Sequence, residues 1–120
     1  MKKLCTFYFL LYLAGCGKSD EQAPVITLIS PQSNQVFSAG TVVTVEADIT
    51  DNEGIHMVHL VVTDNTGGHL VHFEDHYDGR NYDLNKSFTV VAGRTYSIEM
   101  DATDHADNTA RMNLTVSGNP

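Results

Sequence analysis

Fifteen carboxylates and six histidines hold most of the reactive chemistry in this 120-residue chain. Asp51 and Glu53 sit in the stretch Asp51-Asn52-Glu53-Gly54, and Asp104 and Asp107 in a second polar stretch closed by Asn108. Asp, Asn and Gly favour turns, so both stretches read as loops. Carboxylates gathered there would offer calcium the hard oxygen ligands it takes six to eight at a time, with Asn52 and Asn108 adding carbonyls. The same residues also serve turn geometry and solubility, and no EF-hand spacing is present. The histidines suit a softer ion. His59 and His72 are a candidate zinc pair, with Glu74 or Asp75 to complete the site, and solvated surface histidines are the plain alternative. A copper version would draw on Met57, Met100 and Met112, but the last two fall at core-facing positions. The chain has no Gly-x-Ser-x-Gly elbow and no phosphate-cradling glycine loop, so no enzymatic activity is expected.

The elements that must position these groups are strands. From residue 24 onward the apolar residues recur with period 2 between clusters of Gly, Asn, Asp and Pro. Strands are expected over 24–30, 41–50, 55–63, 69–74, 84–91 and 94–103, with a last one carrying Ala110, Met112, Leu114 and Val116. The segments 31–40 and 75–83 read as connections, and 64–68 has the Asn and Gly content of a hairpin loop. Seven short strands with regular turns predict an all-β, seven-stranded antiparallel sandwich. If the second strand runs up, the top of the sandwich gathers Asp51, Glu53, Asp75, Asp78, Asp83, Asp104 and Asp107 around Arg80 alone. A hairpin that turns Val58, Leu60, Val71 and Phe73 inward puts His59 and His72 outside on one face. Along a single strand, His56 and His59 point to opposite faces, as do His69 and His72.

Three stretches carry a family resemblance: Pro24-Val25-Ile26, Asp51-Asn52-Glu53-Gly54-Ile55, and the run from Tyr96 through Ile98 and Ala102 to Asp104. Together they resemble bacterial immunoglobulin-like domains of the fibronectin type III or cadherin-like kind. Ala106-Asp107-Asn108 departs from the family's usual Ala-Gly-Asn. The resemblance implies a fold and no particular activity. It also implies a tyrosine corner at Tyr96, and cadherin-like domains use such acidic loops for calcium.

The first residues set the expected address. Lys2 and Lys3 precede an apolar run from Leu4 to Leu13, a signal-peptide pattern too short for the ~20 residues that cross a bilayer. Leu13-Ala14-Gly15-Cys16 resembles the lipobox of bacterial lipoproteins. The resemblance implies cleavage before Cys16 and a diacylglycerol on its sulfur, with acyl chains such as palmitate. The expected organisation is a signal peptide over 1–15, a lipidated cysteine and polar tether over 16–23, and an Ig-like domain over 24–118. The Lys-Ser-Asp-Glu string after the cysteine resembles the export tag of surface-displayed Bacteroidota lipoproteins and also reads as a plain solvated linker. Loss of Lys2 and Lys3 leaves 5 basic against 15 acidic residues, a net charge of −10. That balance excludes nucleic acid as an expected partner and favours cations. The function expected is a non-catalytic binding module lipid-anchored through Cys16 to the outer membrane, facing the periplasm or the cell surface. It would bind another envelope protein or a glycan, with Tyr77 and Tyr82 as candidate glycan contacts. The alternative is a metal-binding envelope lipoprotein, with calcium at Asp51, Glu53, Asp104 and Asp107 or zinc at His59 and His72.

Overall fold

The computed structural model describes residues 20–120, so the stretches expected to be a signal peptide and a lipobox, with Cys16, lie outside the described residues. The described chain is all β: β1 (Val25–Ser30), β2 (Val36–Phe37), β3 (Val42–Asp64), β4 (His69–Thr89), β5 (Thr95–Asp104) and β6 (Thr109–Gly118). All six belong to one sheet, ordered β1-β3-β5-β6-β2, with β4 on the other edge of β3.

This differs from the seven antiparallel strands expected in two ways: two pairs of expected strands are continuous, and the segment 31–40, read as a connection, carries the short β2, which pairs in parallel with the end of β6. β3 covers 41–50 and 55–63 almost entirely, and β4 runs straight through 75–83, which is therefore strand rather than connection. The alternation was hard to follow through 75–83 because its inward positions are filled by Asp75 and two half-buried tyrosines, Tyr77 and Tyr82.

The long hairpin bends in its middle. Thr50 pairs with Asn81 and Ile55 with Gly79, so residues 51–54 of β3 face the single residue 80 of β4. Extra residues on one strand bend and twist it, and Gly54 takes a φ of 140° there. The inserted residues also switch the inward set. Val43, Val45, Ala47 and Ile49 are buried before the bend, and Val58, Leu60 and Val62 after it. The first half of β3 pairs with β1 and the second half with β5. The sheet thus curls so that both halves feed one core, joined by Leu84, Phe88, Ile98, Met100, Leu114 and Val116. Each such side chain contributes about 1.5–3 kcal/mol when fully buried.

Both ends of the curl are tied by side chains. At the turn between β3 and β4, Asp64 accepts hydrogen bonds from the Thr66 and Gly68 amides, from the Thr66 hydroxyl and from Arg94. The Thr66 hydroxyl foremost, then the Gly68 amide, lowers its pKa to about 2 despite burial. Near that end Tyr96 is fully buried, 5.0 Å from the Phe88 ring, and its hydroxyl accepts the Val91 amide at 2.7 Å. This is the tyrosine-corner bond implied by the sequence. At the opposite end lie the bend of β3, the turn between β5 and β6, and the start of β1, where Val25 pairs with Thr50.

Candidate metal centre

The bend brings two distant acidic stretches together because Ile55, the residue that follows it, pairs with Asp104 at the end of β5. Asp51 stands at the head of the bend. Its Oδ2 accepts the amides of Glu53 and Gly54 at 2.9 and 2.8 Å, an Asx-type turn that fixes the carboxylate. Asp104 is fixed the same way: Oδ1 accepts the amides of Ala106 and Asn108, and Oδ2 accepts the Asn108 side-chain amide. Asp107 supplies the left-handed residue of that turn, with φ 68°.

A third carboxylate joins from outside the sheet. Asn108 Nδ2 donates to the backbone carbonyl of Asp20 at 3.0 Å, which holds the segment before β1 against this turn. Asp20, Asp51 and Asp104 each present an oxygen, and the three oxygens lie within 4.8 Å of one another. Asp51 is only 7% exposed and Asp104 is fully buried. Asp20 Oδ2 and Asp51 Oδ1 are buried with no hydrogen-bond partner. Burial alone would raise the pKa of Asp104, but hydrogen bonds from the Asn108 side chain and amide and from the Ala106 amide outweigh it and hold the group below the ordinary carboxylate value.

Of the four residues expected to hold calcium, the structure brings Asp51 and Asp104 together. Glu53 and Asp107 are exposed and stand outside the group of three. Asp20 was missed because 16–23 read as a linker. Strand direction was the available signal, since it places the start of β1 at the acidic end.

Residues 24–111 match the family model for a bacterial Ig domain. The chain belongs to that family. No curated protein matches it. The match spans the bend and the β5–β6 turn, and Asp20 lies before it.

The histidines of this bacterial Ig domain sit on its outer faces. His59 and His72 meet across β3 and β4 with ring centroids 5.5 Å apart, and His59 Nδ1 is 3.5 Å from Asp101 Oδ2. His69 also approaches His72, at 6.2 Å, contrary to the expectation that they point apart. The cause is a register shift between Val62 and Thr63, beside which His69 pairs. His56 lies 5.6 Å from His76 and 5.0 Å from His105, whose Nε2 is 3.4 Å from Asp78. Tyr77 and Tyr82 pack edge to face at 4.9 Å against the core. Their hydroxyls donate to the Asn81 carbonyl and to Asp75. Met100 is buried, and Met112 packs against the core.

Proposed function

We propose that this chain is a cell-envelope lipoprotein, tethered to the outer membrane by lipid on Cys16, whose Ig domain is a non-catalytic binding module for another envelope protein or a glycan. The observation that carries the reading is Leu13-Ala14-Gly15-Cys16 a few residues before a bacterial Ig domain. Bacterial Ig-like domains are in general non-catalytic binding or structural modules. In this reading the curled sheet is a seven-stranded Ig sandwich in which two strand pairs have fused through the bend and the two-residue β2 is an addition, and the chain resembles the small lipoproteins of Bacteroidota. β1 starts at the bent end, so the end carrying Asn34, the turn at Asp64 and Gly93 faces away from the anchor and is the surface offered to a partner.

Mass spectrometry of the membrane-extracted protein tests the anchor. A diacylglycerol-modified Cys16 at the amino terminus is expected, and Cys16→Ser should release the protein from the membrane fraction. A Cys16→Ser protein that stays membrane-bound, with no lipid on the parent, would overturn the reading.

The metal-binding alternative has a zinc form favoured by the 5.5 Å approach of His59 and His72 on one face. Zinc should then raise the melting temperature, and substituting both histidines should remove that rise. An unchanged rise in the double variant would sink it.

A further inference from the structure

We propose that Asp20, Asp51 and Asp104 bind one divalent cation of the calcium class, and that this ion latches the segment before β1 onto the bent end of the domain. Two independent observations meet here. The first is distance. Calcium holds oxygens at 2.3–2.6 Å, so two oxygens on opposite sides of one ion stand at most about 5.2 Å apart. The three carboxylates fall within that span. The second is the state of the oxygens. Asp51 is more than nine-tenths buried, and its Oδ1 has no partner, while its Oδ2 is held by two backbone amides. A buried carboxylate oxygen without a donor carries a desolvation penalty that an exposed, hydrated one does not, and a second such oxygen, Asp20 Oδ2, sits in the same cluster. A cation among them supplies the missing partner for both and offsets the repulsion of three like charges.

The donor set chooses the ion. All three donors are hard carboxylate oxygens, with no imidazole or thiolate in the group, which disfavours zinc and copper and suits calcium. Magnesium demands a tighter shell of 2.0–2.1 Å and keeps its waters. Asp51 and Asp104 belong to the folded sheet, whereas Asp20 belongs to the segment before it, so the ion ties one to the other. The site stands whether or not Cys16 is lipidated. If it is, the four residue steps from Cys16 to Asp20 span at most about 14 Å, and the latch fixes the bent end close to the bilayer.

The test uses the full protein in detergent, stripped of metal by chelator and melted with 5 mM calcium, magnesium or zinc. With affinity in the ~10⁻⁴ M class of extracellular calcium modules, calcium should raise the melting temperature by about 10–20 °C, and magnesium by less. Asp20→Asn and Asp51→Asn should each remove most of the rise, while the pair Glu53→Gln and Asp107→Asn should keep it. Hydrogen exchange at Glu21, Gln22 and Ala23 should slow by up to about 50-fold with calcium. Asp20→Asn alters a residue outside the sheet, so it reads the latch even if Asp51→Asn folds poorly. The proposal is overturned if calcium shifts nothing, if the shift survives in Asp20→Asn, if it vanishes with Glu53 and Asp107, or if exchange before β1 is unchanged.

Discussion

Tyr96→Phe removes one oxygen from the centre of the domain and nothing else. The hydroxyl accepts the Val91 amide at 2.7 Å, beside the fully buried Tyr96 ring and the Phe88 ring. The lost atom leaves almost no cavity, so the cost is that of the amide left without an acceptor, about 1–3 kcal/mol. In a domain of about 100 residues each kcal/mol moves Tm by about 4–8 °C, so a fall on the order of 10 °C is expected. The turn after Val90 keeps other bonds, from Arg94 N to the Val91 carbonyl and from Gly40 N to the Val90 carbonyl. The strands should therefore survive, and the far-ultraviolet circular dichroism of the folded variant should match the parent. Urea denaturation of both proteins gives the difference at unchanged m-value. A loss below about 0.5 kcal/mol, within the range of an ordinary surface substitution, would refute the claim that this bond locks the corner.

Other consequences follow from single groups. Asp64 has its folded pKa lowered from 3.8 to about 2, so its contribution is complete above pH 4 and is lost as pH falls from 3.8 towards 2. Asp64→Asn should flatten the fall in Tm across that window, and an unchanged acid limb would contradict the assignment. Asp48 shows the opposite sign. Its pKa is raised, first by a hydrogen bond shared with the Asp83 carboxyl directly across the hairpin, then by desolvation and by the charges of Asp83 and Glu46. Stability is therefore lost as pH rises through that group, and Asp83→Asn should raise Tm at pH 7 with less effect in acid. Gly118 is buried, and a methyl group there would collide with the Val90 side chain and the Val91 carbonyl. Gly118→Ala should cost about 1–3 kcal/mol by overpacking, measured by the same urea titration.

Most of the inward face was readable in the sequence, because alternation of β-branched and polar residues is a direct image of a half-buried strand. Val43 to Ile49 and Tyr96 to Ala102 were assigned to the core from that pattern and are buried. The continuity of β3 and β4 was not readable. Backbone pairing carries a strand through polar residues when the partner strand bends with it, and neither Asp51 to Gly54 nor Asp75 to Asp83 announces such pairing by composition. The His69–His72 approach was hidden for a related reason, since a one-residue register shift reverses which face a side chain takes. Half of the candidate metal centre was legible: Asp51 and Asp104 stood out as turn residues at one end. Asp20 did not, because its place depends on a contact with Asn108, eighty-eight residues away.

Calorimetric titration of the metal-free protein with calcium tests the central claim most directly. One ion per chain should bind, Asp51→Asn should abolish the heat, and replacement of His59 and His72 should leave it unchanged. Absence of calcium binding, or binding undiminished in Asp51→Asn, would contradict the account.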